Sequence, residues 1–366
     1  IMANKRTYWA IEALGFATHP NGQPTVDATT ENIEYVPGVQ SVGISTNYNL
    51  EQTFQLGQLE VYQDVEEVPD VEVTIERVLD QYTAAYARAM DNAAAGKVTI
   101  TGDQNNQVDV YFSVNADTDE AAGDDVPDSI AYMSGMYCSS ASFNFATDGN
   151  FTESITLVGN HQTWHDAPGL RIQNSPYATG VGDLMTGSIT RRNRFAFETG
   201  GVPTEISSLT IAGGTATELA VQNVSVSVDF GREAINILGM KVPYHRYVTF
   251  PVEVTTDIET LVTDVAKMNN QAAQPEIDNL AERTIKFSIY DTAVVDQDTG
   301  AGNRLHTFDL GTKNKITSIT WNGLDTGGTN ASITYSYRNF NKLDYIFASA
   351  DGSAAGTVVL NDQYGS

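Results

Sequence analysis

One cysteine, Cys138, occurs in 366 residues. A single thiol excludes an internal disulfide and a cysteine-built metal site, which leaves Cys138 as a small buried or half-buried residue. Positive charge is also scarce: 20 Lys and Arg stand against 46 Asp and Glu, a formal net charge of −26. Such a surface does not grip nucleic-acid backbone, which wants clustered Lys and Arg. It suits repulsion of DNA, solubility at high concentration, or a halophilic or marine source. No run reaches the roughly 18–20 apolar residues of a spanning helix, so a soluble chain is expected. Met2-Ala3-Asn4-Lys5-Arg6 reads as a translation start, with Ile1 outside it. The apolar stretch from Tyr8 to Ala17 is interrupted by Glu12 and lacks a small-residue cleavage site, so it does not read as an export signal.

Chemical motifs are missing too. There is no G-x-S-x-G elbow and no G-x-x-x-x-G-K-[ST] or G-x-G-x-x-G phosphate cradle; Gly180-Val181-Gly182 and Gly213-Gly214 read as turn residues. Of the histidines His19, His161, His165, His245 and His306, only His161 and His165 lie close together, with Trp164 and Asp166 beside them. An H-x-x-x-H pair without a zincin glutamate, on strand and loop, is poor zinc geometry, and a structural role is the expectation. The carboxylate-rich loop Asp117–Asp128 lacks the spacing and terminal Glu of an EF-hand and reads as a solvated charge run. The reading is therefore a non-enzyme, with no catalytic residue, metal or cofactor.

What the chain does have is an internal repeat. From Val221 to Glu259, Val224, Val226, Val228 and Phe230 alternate with Ser225, Ser227 and Asp229, the period of a strand with one buried and one wet face. Past Gly231, Gly239 and Pro243, a second alternation runs through Val248, Phe250, Val252 and Val254, completing a long hairpin. A helix is expected next, with Thr256 and Glu259 at capping-box spacing and Ile258, Leu261, Val262 and Val265 on one face. The stretch from Val39 repeats this 182 positions earlier. Val39, Gln40, Val42, Ser45, Glu51, Leu56 and Gly57 are identical to Val221, Gln222, Val224, Ser227, Glu233, Leu238 and Gly239, 7 identities in 19 positions. Average residue usage predicts roughly one or two. Val71-Glu72-Val73-Thr74 then matches Val252-Glu253-Val254-Thr255, again before an expected helix with Ile75, Val78, Leu79, Tyr82 and Tyr86 on its face. Phe112-Ser113-Val114 and Phe287-Ser288-Ile289 follow at similar distances. Phe143–Thr156 lines up with Trp321–Thr334, 178 positions on. Each half reads as hairpin, helix, strand and closing hairpin, an internal duplication.

The expected layout is a first domain over 1–166 (repeat core 39–158), a linking segment over 167–205, a second domain over 206–347 (repeat core 221–334) and a tail over 348–366. The linker holds Arg191, Arg192 and Arg194, a basic group in an acidic protein and a candidate contact with an acidic neighbouring subunit.

The repeated stretch, above all Val39–Glu76 with GQLEVYQDVEEVPDVEVT, Ser142–Gly159 and Val224–Glu259, resembles bacteriophage tail tube proteins over about three quarters of the chain. The resemblance lies in texture and order. It implies a mainly β fold of two tandem β-sandwich or β-barrel domains, each with one flanking helix and a long hairpin. It implies a virion structural protein, made in the host cytoplasm, whose hairpins join between neighbours into an inner barrel. Partners would be other copies, as a ring of three two-domain chains in preference to six, with rings stacked above and below. A tape-measure protein and DNA would occupy the lumen, a sheath would surround a contractile tail, and no membrane is involved. The polar hairpin faces, Ser45, Asn47 and Glu51 in one copy and Ser225, Ser227, Asp229 and Glu233 in the other, are the lumen-lining candidates. The acidic loop and the 165–206 insertion are large for a minimal tube domain. Other readings are a tail-end ring (baseplate hub or tube terminator), a β-rich adhesin or carbohydrate-binding module, and an enzyme resting on His161, His165 and Asp166.

Overall fold

The structure, a computed structural model, describes residues 12–19, 33–90, 96–114, 128–166, 172, 188–198, 200–203, 206, 221–262, 281–291, 304–323 and 331–347. In chain order the first part holds β1 (Glu12–Thr18), β2 (Glu34–Tyr35), β3 (Val39–Asn47), β4 (Leu50–Phe54), β5 (Val61–Glu66) and β6 (Asp70–Val78). A short helix α1 (Ala85–Met90), β7 (Lys97–Thr99), a one-turn helix α2 (Ile100–Asp103) and β8 (Val108–Val114) follow. Next come β9 (Ser129–Ala146), β10 (Thr152–Gly159), β11 (Thr163–Asp166) and β12 (Phe195–Phe197). The rest is β13 (Val221–Asp229), β14 (Glu233–Ile235), β15 (His245–Tyr247), β16 (Glu253–Leu261), β17 (Lys286–Tyr290), β18 (Arg304–Asp309), β19 (Lys315–Asn322), β20 (Ser332–Phe340) and β21 (Asp344–Phe347). The protein is mainly β, as expected, and its described pairings are antiparallel.

A twelve-stranded sheet carries the path β19-β20-β16-β13-β9-β10-β6-β3, with β1, β2, β8 and β11 attached off it. The 18-residue β9 makes this possible: Ser129–Met136 pairs with β8, and Ala141–Asn144 pairs with β10 and β13. A second sheet, β12-β17-β18-β21-β7, is tied to the long path by aromatic packing. Phe143 meets Phe308 at 4.8 Å and Phe145 meets Phe287 at 5.1 Å between ring centroids, while Tyr86 of α1 sits edge-on to Phe143 and Tyr345. Among the described residues neither sheet closes on itself: β3 pairs only with β6, and β19 only with β20. Among the described residues the fold is therefore a set of antiparallel sheets, the two largest packed together, with no closed barrel.

Both long hairpins are present. β3 pairs with β6 and β13 with β16, and each is capped by a two-stranded tip, β4–β5 and β14–β15. In both tips the turn glycine, Gly57 or Gly239, takes a left-handed φ of 88° or 90°, a backbone region that suits a residue without Cβ. The ladders also share their irregularities. One extra residue bulges at Gln40 in β3 and at Gln222 in β13; another bulges at Ser139 in β9 and at Thr317 in β19.

The helices expected after the VEVT segments are corrected. Thr256 and Glu259 do not cap a helix, because Glu253–Leu261 is a strand that buries Val254, Thr256, Ile258 and Thr260 in strict alternation. Ile75 and Val78 likewise belong to β6, and the helix of the first half begins only at Ala85, with Tyr86 buried. Runs of Val, Thr and Ile are stiff at χ1 and fit a pleated surface, so the period of two overrides a chance i, i+3, i+4 match. Val265 lies outside the described residues, as do most of the Asp117–Asp128 loop, most of 167–205 and the 348–366 tail. The described part of the Tyr8–Ala17 stretch lies in β1, whose Ala13, Leu14 and Phe16 are buried.

A buried polar knot joins segments far apart in sequence. Arg77 bonds Asp80 at 2.9 Å and lies 3.7 Å from Glu153, which accepts from the backbone N–H groups of Ala85 and Tyr86. Nearby, His306 and Tyr345 are 2.6 Å apart, and the other ring nitrogen of His306 donates to the Asp80 carbonyl at 2.6 Å. Burial pushes the Glu153 and Asp80 carboxyls up, opposed by Arg77, and pushes the His306 imidazole down to about 4.

Candidate functional site

The feature that stands out is one face of the eight-stranded path. The face against the core is apolar, with Val73, Ile75, Phe143, Ile155, Val226, Ile258 and Tyr335 buried. The opposite face is built from alternate residues and is almost wholly polar. Its middle row can be followed across the path by register: Ser41, Glu76, Ser154, Ser142, Ser227, Thr255 and Arg338, with Lys315 at the end. The next row runs Asn144, Ser225, Asp257, Ser336 and Ser318. The face bears the carboxylates of Asp70, Glu72, Glu76, Asp229, Glu253, Asp257 and Glu259 against the cations Arg338 and Lys315. At its centre lies a depression lined by Ser140, Ser142, Ser154, Ser227 and Thr255, with Asp229 and Glu253 at its edge. The acids meet hydroxyls, backbone N–H groups and arginines, with Ser41 donating to Glu76, Ser332 to Glu259 and Arg338 lying 3.8 Å from Glu253, so the described face offers no nucleophile–base pair. It presents a hydrated, negative surface.

Of the lumen-lining candidates, Ser45, Asn47, Ser225, Ser227 and Asp229 stand on this face. Glu51 and Glu233 do not; they lie in β4 and β14 of the hairpin tips, exposed. Of the seven carboxylates on this face, sequence reading singled out Asp229 alone as lumen-lining. Glu72, Glu76, Asp257 and Glu259 alternate with buried residues in DVEVTIERV and EVTTDIETL, a signal obscured by the helical reading of those segments.

The tips are the second feature. Leu56, Leu59 and Leu238 are fully exposed, and Tyr48, Leu50, Phe54, Tyr62, Met240 and Tyr244 are mostly so. Apolar groups gathered this way on two projecting hairpins mark interaction surfaces. The tips differ in charge. Between Tyr48 and Val68 the acids are Glu51, Glu60, Asp64, Glu66 and Glu67 with no base, whereas Gly231–Phe250 has Arg232, Lys241 and Arg246 against Glu233. The second hairpin is pinned at its base. Arg232 donates to the carbonyls of Cys138, Gln104 and Arg246 and lies 4.9 Å over the Tyr137 ring, while Arg246 bonds Asp70 at 2.6 Å.

The other singled-out residues are dispersed. Arg191 bonds Asn150 and Arg194 bonds Ser188 around a 3₁₀ turn, with Arg191 and Arg192 exposed. His165 meets Thr163 at 3.0 Å, and His161 packs edge-on against Tyr132. No His, Cys, Asp and Glu cluster able to hold a metal occurs among the described residues. Cys138 is buried, and burial pushes its thiol up to about 12, far from thiolate chemistry. Trp164 is exposed and Trp321 half-buried, which makes no shared aromatic platform; Trp9 lies outside the described residues. No helix among the described residues is long and apolar enough to cross a membrane. The chain matches no protein-family model, and no curated protein matches it significantly.

Proposed function

We propose that this chain is a self-assembling structural subunit of a bacteriophage tail tube, a virion protein that stacks as rings around a DNA-conducting lumen. One observation carries the reading. The path β19-β20-β16-β13-β9-β10-β6-β3 is the same four-strand order taken twice, joined head to tail through β13 and β9, with an edge left unpaired at each end among the described residues. The bulges at Gln40 and Gln222, 182 positions apart, and at Ser139 and Thr317, 178 apart, fall on the two offsets of the sequence repeat and support a tandem duplication.

A head-to-tail join that repeats must close or run on as a filament. Closure removes the exposed edges, which otherwise invite uncontrolled pairing. Three chains would contribute twenty-four strands, eight from each. At about 4.8 Å per strand and a tilt near 40°, that barrel is on the order of 45 Å across between backbones, wide enough for a DNA duplex. The polar face would line it. Its carboxylates repel phosphates and its hydroxyls bind water, so DNA slides without sticking. A tape-measure protein and a sheath, where the tail contracts, remain the partners this reading calls for inside and outside the ring. The exposed apolar tips suit contact between stacked rings.

Sedimentation velocity across a concentration series tests this. Trimers and multiples of three are expected. Monomers up to the solubility limit, without higher species, would overturn the reading.

A further inference from the structure

The join inside the chain is a template for the join between chains. In it, Val226 faces Phe143, Ser227 faces Ser142 and Asp229 faces Ser140 across β13 and β9. β3 corresponds to β13 through the shared bulge at Gln40 and Gln222, and β19 to β9 through the bulge at Ser139 and Thr317. Carrying both offsets over sets one register. Resting on the ring reading above, we propose that β3 of one chain pairs antiparallel with β19 of a second copy, Ser45 opposite Thr320 and Ile44 opposite Trp321, with Tyr48 seated beside Thr317 of that copy.

Exposure at matched positions fits this arrangement. Phe230 is fully buried, with its N–H bonded to the Ser139 carbonyl of the other half, whereas its counterpart Tyr48 is 71% exposed. Val226 and Phe143 are buried, whereas their counterparts Ile44 and Trp321 are half-buried beside the core. In each pair the residue inside the chain is covered by the other half, and the residue at the free edge lacks that cover. Charge agrees. The first hairpin tip carries five carboxylates, and the free edge that would receive it exposes Lys313 and Lys315, with Arg338 beside them in a chain of net charge −26. A one-residue slip would turn the polar face over; a two-residue slip keeps the faces but moves each pair about 7 Å along.

Two proteins, each with one added cysteine, test the register in the full chain, since Cys138 is the only native thiol and is buried. Ser45→Cys and Thr320→Cys chains are mixed at assembling concentration, oxidised mildly and run on a non-reducing gel, with rings scored in parallel by electron microscopy. Directly opposed residues lie within disulfide reach and those two positions away do not. The expected result is a dimer band from the 45/320 mixture at least tenfold stronger than from Ser45→Cys mixed with Ser318→Cys or with Asn322→Cys. Rings with a stronger shifted link, or with none, overturn the register and leave the ring reading standing. Neither rings nor links would overturn both. Tyr48→Asp supplies a second readout. It is expected to keep the native circular dichroism and melting temperature while losing ring formation, and rings formed as in the native protein would contradict the seating of Tyr48.

Discussion

Replacing His306 by Gln tests the buried knot that ties β18 and β21 to the Arg77–Tyr86 segment. With its pKa lowered from 6.5 to about 4, the folded chain holds His306 neutral, donating to the Asp80 carbonyl and accepting from Tyr345. The unfolded chain takes up the proton first on acidification. The contribution of His306 is therefore fully present above about pH 6.5 and is lost as the pH falls toward 4. At pH 4.5 the loss amounts to about 2–3 kcal/mol at 1.36 kcal/mol per pH unit, the remainder being lost only below the folded value of about 4. Glu153 and Asp80 work in the opposite sense, because their folded carboxyls are raised and bind protons earlier than in the unfolded chain. The native pH profile is a sum of these terms, and the difference between native and variant isolates the histidine. Urea unfolding followed by tryptophan fluorescence at pH 7 and 4.5 is the assay. The variant is expected to be less stable at pH 7 by about 1–3 kcal/mol for the disturbed hydrogen bonds. That deficit should shrink or reverse by about 2–3 kcal/mol at pH 4.5. Parallel profiles for the two proteins would refute a neutral buried imidazole.

Glu153→Ala should cost about 3–5 kcal/mol in the same unfolding assay, because it strips a charge partner from buried Arg77 and the acceptor from two N–H groups of α1; a cost under about 1 kcal/mol would show that the knot relaxes without it. Leu56→Asp and Leu238→Asp sit where side chains touch solvent alone in the single chain, so stability should change by no more than about 0.5 kcal/mol. Both should nonetheless lose stacking, read as rings without tubes by electron microscopy, and normal tubes would contradict the role given to the tips.

The hairpins were legible in the sequence because alternation and an offset of 182 survive at the residues that build them, from Val39 on Val221 to Gly57 on Gly239. Helices were expected where β6 and β16 continue, because Ile258, Leu261 and Val262 happen to satisfy a helical spacing while burying every second residue as well. Short-range pattern cannot separate the two; the neighbours β10 and β20, distant in sequence, decide. The polar face was half legible. Ser225, Ser227 and Asp229 announced themselves by alternation, but that Glu76, Ser154 and Ser142 extend their row depends on cross-strand register. The knot of Arg77, Glu153 and His306 joins residues up to 229 positions apart, and no local motif marks it.

Electron microscopy of the purified chain at high concentration, with rotational averaging of end-on views, tests the assembly most directly. The account predicts hollow rings with six outer lobes and threefold symmetry, each chain spanning two lobes. Closed dimers, or monomers under every assembling condition, would contradict it.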